Sequence, residues 1–154
     1  MTVSALRWFK IALLLQIALV AYLLTIAVVD LFPWNDVSAG PAGRELGIAI
    51  AKNALPLLAS MAIFALGVSA LGWLSVVAYA AYFLWQLWMW WKPYFLGADT
   101  AWQAYYAEHF SRTLKVLSAH GANLPPDAQH LLLQGLAFVT LIVTTMAVAR
   151  MQHL

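Results

Sequence analysis

Residues 55–91 read LPLLASMAIFALGVSALGWLSVVAYAAYFLWQLWMWW and contain no Asp, Glu, Lys or Arg. A membrane-spanning helix needs about 20 mostly apolar residues, so a single helix of this length would overshoot a bilayer about twofold. Two helices joined by a tight turn fit, with Gly67 and Ser69-Ala70-Leu71-Gly72 supplying the break. The second span then covers about residues 47–68, its polar start at Arg44, Glu45, Lys52 and Asn53 lying at the interface. The third covers about 73–91 and is expected to stop at Lys92-Pro93. Pro56 frees the carbonyl of Lys52, which predicts a kink.

Two more apolar runs flank this block. Residues 11–29 follow Arg7 and Lys10 and precede Asp30. The run is longer than the roughly 7–15 residues of a signal peptide's apolar region and lacks a small-x-small cleavage site, so it reads as a retained helix. Residues 131–149 enter through Pro125-Pro126-Asp127 and close at Arg150, with Asp127 placed to cap the first turn. Composition agrees: of 154 residues, 64% are hydrophobic and 9% charged, against about 25% charged in a soluble domain. The sequence therefore predicts one all-α integral membrane domain with four transmembrane helices.

Between the third and fourth spans lies the one sizeable extramembrane segment, 92–130. Trp102, Tyr106, His109, Phe110, Thr113 and Leu117 share a helical face there, and Glu108 and Arg112 stand at i,i+4 on another. With Asp99 as N-cap, this predicts an interfacial amphipathic helix over about 99–117. Arg7 and Lys10 before the first span, against Asp30 and Asp36 after it, put both termini in the cytoplasm. Lys92, Arg112 and Lys115 pull the other way, but Asp99, Glu108 and Asp127 make their loop net neutral.

Several functions fall on inventory. The eight basic residues are scattered singly, which argues against nucleic acid. Without cysteine there is no disulfide framework, thiolate metal site or dithiol couple, so the small disulfide-forming quinone reductases are excluded. The spans hold no carboxylate for proton-coupled export and no histidine for haem, because His109, His120, His130 and His153 lie in loops or at span ends. The spacing of His109, His120 and His130 is not a metal-ligand pattern, and there is no Gly-x-Ser-x-Gly elbow or phosphate loop. No metal or cofactor is expected. Gln16, Gln86 and Gln134, the strongly polar groups inside the spans, are expected to bond across helices rather than bind substrate. Gly43-x-x-x-Gly47 matches the helix-dimer motif but lies at the polar mouth of its span.

Two features remain. Trp85, Trp88 and Trp91 share a face at the end of the third span, either as an interfacial belt or as the wall of a pocket. The long loop collects Tyr94, Asp99, Glu108, His109, Arg112, His120, Asn123, Asp127 and His130. The string Trp90-Trp91-Lys92-Pro93-Tyr94-Phe95-Leu96-Gly97-Ala98, then Gly121-Ala122-Asn123-Leu124-Pro125-Pro126 and His130, resembles a Trp-Trp-x-Pro-Tyr-x-x-Gly, Gly-x-Asn-x-x-Pro and His pattern of small four-helix bacterial inner-membrane proteins. Leu114 and Ser118 stand where that pattern has a second histidine and a proline. The resemblance implies a bacterial inner membrane and no particular activity.

We therefore expect a non-enzymatic membrane protein that binds a partner protein or a lipophilic ligand at its long-loop face. Trp88, Trp91, Tyr94, His120, Asn123 and His130 are the candidate site, with Gly121 and Pro125-Pro126 restricting the backbone between them. The plainer reading of His130 and Asn123 is that they satisfy helix ends. An oligomeric transporter or channel, and an enzyme using the loop His/Asp/Glu patch, are the alternatives. Beyond the lipid bilayer, the expected partners are a membrane protein or further copies of the chain.

Overall fold

The computed structural model describes residues 2–151, so His153 lies outside the described residues. Five α-helices are present: α1 (Val3–Val28), α2 (Gly43–Ala65), α3 (Ser69–Leu96), α4 (Thr100–His109) and α5 (Ala128–Met151). A short 3₁₀ turn, Val37–Ala39, lies between α1 and α2. Four helices, α1, α2, α3 and α5, are long and apolar enough to cross a membrane. They run antiparallel. Arg150 near the end of α5 stacks over Trp8 near the start of α1, at 4.4 Å, whereas Tyr22 near the other end of α1 donates to the carbonyl of Gln129 in the first turn of α5.

The boundaries differ from the sequence reading in informative ways. α3 passes through Lys92-Pro93 and ends four residues later, at Gly97, whose φ of 85° suits glycine. Pro93 is buried and, lacking an N–H, forgoes the bond to the Met89 carbonyl. α2 is continuous through Pro56, as the single span read from the sequence requires. The helix expected over 99–117 stops at His109. The Lys115 ammonium donates to the Phe110 and Thr113 carbonyls, and the Thr113 amide turns back to the Phe110 carbonyl at 3.3 Å. These bonds satisfy the backbone groups that a longer helix would have used.

The interior combines apolar packing with a few cross-helix hydrogen bonds. Leu19, Leu23, Leu57, Tyr79, Leu133 and Ala137 form the larger core, and Ala12, Phe64, Ala147 and Val148 the smaller one. Gln16 donates to the Thr144 hydroxyl at 3.0 Å, Trp91 to Gln134 Oε1 at 2.8 Å, and Ser75 to the Ser60 carbonyl at 2.8 Å. In hydrocarbon such bonds hold helices together where there is no hydrophobic drive between them. Gly72 lets α3 approach α5 so closely that a Cβ there would stand 2.8 Å from Val148 Cγ2. Outside, Leu14, Val77, Leu84, Trp85, Trp88 and Phe95 are exposed, an apolar exterior that suits lipid rather than water.

Candidate functional site

At the end of the bundle carrying the long loop, two buried polar residues fix the first connection. Asn35 donates to the carbonyls of Ile26 and Val29 and accepts from the Leu31 amide, closing the C-terminus of α1. Asp36 caps the 3₁₀ turn by accepting from Ser38 and Ala39. The Ser38 hydroxyl holds its carboxyl below the usual range against the opposing effect of burial, and Arg112 assists from 3.0 Å. Arg112 and His109, which bonds the Ala39 carbonyl, tie this connection to α4 and the segment after it.

A second knot joins that segment to α5. Leu114 exchanges backbone bonds with both sides, donating to Pro33 and accepting from Ala128. Asp127 is fully buried and accepts from the Thr113 hydroxyl, Gln129 Nε2, the His130 amide and His130 Nδ1, at 2.9, 3.1, 3.0 and 2.6 Å. Burial alone would raise its pKa, but the bonds from His130 and Gln129 outweigh burial and lower it. Burial lowers the Lys115 pKa, partly offset by Asp127. It raises that of Tyr106, whose hydroxyl donates to the Pro125 carbonyl.

Under these knots lies a cavity of about 190 Å³ between α1, α2, α3, α4 and α5. Leu23, Ile26, Ile50 and Leu133 supply apolar wall, Tyr105, Phe110 and Tyr82 aromatic wall, and Asn53, Gln86, His109, Gln129 and His130 polar groups. The oxygens Gln86 Oε1, Gln129 Oε1 and Tyr82 Oη are buried and find no hydrogen-bond partner among the described residues. Gln16 and Gln134 do bond across helices as expected; Gln86 does not.

The six residues expected to converge are divided among three places. Trp88 is 59% exposed on the outer face of α3, with the Lys92 ammonium over its ring. Trp91 stacks on Phe95, meets Tyr94 edge-on, and bonds Gln134. His120 and Asn123 pair through their backbones around Gly121 (φ 61°), in a turn pinned by the bond from the Ala98 amide to Ala122. His130 alone reaches the cavity, its ring 3.9 Å from that of Trp90 rather than near Trp91. Successive helical residues differ by about 100°, so Trp90 is buried where Trp88 is exposed and Trp91 half-buried. The expectation that His130 serves a helix end is met instead by Asp127, which caps α5 and holds the His130 ring.

Asn35, Gln129 and the bonding roles of Asp36 and Lys115 escaped the sequence reading because bonds to turn backbone and side chains two to nine residues away depend on the turn's conformation, which residue spacing does not register. The Asp127-x-Gln129-His130 cluster was the one local signal available, a capping carboxylate followed by two N–H side chains. Among the described residues no group of three His, Asp or Glu is arranged to hold a metal ion. Comparison with protein families, with curated proteins and with solved structures returns no match for this chain.

Proposed function

We propose that the chain is a non-enzymatic binding protein of the bacterial inner membrane that takes a small lipophilic ligand into the cavity beneath its long loop. One observation carries this reading: buried, unpaired amide and hydroxyl oxygens around a partly apolar cavity. Such oxygens are costly to leave unpaired, and a few convergent polar groups in an apolar pocket are the usual form of a small-molecule site. An apolar cavity of about 150 Å³ accommodates a benzene-sized ring, so the volume here selects a compact ligand or head group. In this reading α4 lies at the membrane interface and both termini face the cytoplasm.

The test is thermal unfolding of the purified chain in detergent with a panel of single-ring compounds. A ligand at a hundred times its Kd adds about 2.7 kcal/mol to the folded state. At least one compound should raise the unfolding temperature, and Ala49→Leu, which fills the cavity wall, should abolish the rise. A panel without effect, or a rise that survives Ala49→Leu, would contradict the proposal.

A further inference from the structure

The chemistry of the cavity's ligand follows from how Asp127 uses its two neighbours, an inference that rests on the binding reading above. A carboxylate only accepts hydrogen bonds, so the Gln129 amide must turn its Nε2 toward Asp127 and its Oε1 away. The same carboxylate takes the Nδ1–H of His130, which fixes that ring at the cavity wall. One buried carboxylate thus turns the Gln129 oxygen away from itself as a bare acceptor and fixes the His130 ring beside it. Gln129 is 5% and Gln86 6% exposed, and the amide oxygen of each is without a partner among the described residues. Tyr105, Phe110 and His130 bring flat rings to the same cavity.

We propose that this cavity binds a planar hydroxylated ring, a phenol or the hydroquinone head of a lipid, whose hydroxyl donates to Gln129 Oε1 with Gln86 Oε1 as the second acceptor. A ligand hydroxyl can donate to the bare amide oxygens and accept from the unpaired Tyr82 hydroxyl, and an aromatic ring suits both the volume and the walls. The ring's source, a free phenol or a tailed lipid, is set by whether an acyl chain reaching into the bilayer adds affinity.

Titration calorimetry of the full chain in detergent, with phenol, its methyl ether anisole, hydroquinone and decyl-hydroquinone, tests this. Phenol and hydroquinone should bind at least tenfold more tightly than anisole, which has the same ring but no donor. Gln129→Met should bring phenol down to the affinity of anisole. If that variant does not fold, Gln86→Met must lower phenol affinity while leaving anisole unchanged. Decyl-hydroquinone binding tenfold more tightly than hydroquinone marks a lipid head, and equal binding marks a free phenol. Equal affinity for phenol and anisole would overturn the donor inference while leaving the cavity as a binding site. No binding of any ring would overturn both.

Discussion

Asp127 illustrates how much one side chain can organise when it is buried with four donors around it. Removing it strands the His130 and Gln129 N–H groups and the Thr113 hydroxyl, and breaking a buried charge network of this kind costs about 3 kcal/mol. Asp127→Ala should lower unfolding stability by about that amount, measured by thermal or denaturant unfolding in detergent; a loss under about 0.5 kcal/mol, the size of an ordinary surface change, would contradict the network. The pH dependence has a defined sign. Because the folded-state pKa of Asp127 is lowered, its contribution is complete above the ordinary carboxylate range and is lost as pH falls through the lower folded value. Stability should therefore hold from about pH 7 to 5 and decline below about pH 4, with a shallower decline in Asp127→Asn.

The helices themselves were legible because hydrocarbon demands long apolar runs: residues 55–91, uncharged throughout, resolve into α2 and α3 broken at Gly67, as their length requires. Their ends were less legible. Pro93 reads as a stop, yet α3 continues past it to Leu96, with the proline ring buried. The periodicity through Leu117 reads as helix, yet Thr113 and Lys115 unwind it by bonding backbone carbonyls, a competition that residue spacing does not register. The site was the least legible part. Of the six residues expected to form it, His130 alone lines the cavity, because their grouping rested on a shared level at one end of the bundle, which does not say which way each side chain points. Close helix approach gives a sharper test at Gly72. Val148 is β-branched and stiff, so Gly72→Ala forces a shift costing about 1–3 kcal/mol. Val148→Ala in the same chain should recover part of the loss, and strict additivity of the two changes would contradict direct contact.

Taken together, the four long helices form an antiparallel bundle whose two ends differ in character. One end joins the start of α1 to the end of α5 through Trp8 and Arg150. The other is roofed by both long connections and α4, and holds the cavity. Reporter fusions after residues 38, 70 and 120 should place 38 and 120 together and 70 opposite; in our orientation 70 and the C-terminus report cytoplasmic. A fusion at 70 on the same side as 38 would contradict the span count, whereas a complete inversion would reverse the orientation alone. The claim that the roofed end is a binding site is tested most directly by a single thiol in its wall. The chain has no native cysteine, so Ala49→Cys offers one reactive group in the cavity. Its modification by a small thiol reagent should slow at least severalfold when phenol or anisole is present at saturating concentration, while a cysteine on the outer face at Trp88 is unaffected. An Ala49→Cys rate that no ring compound changes would contradict the account.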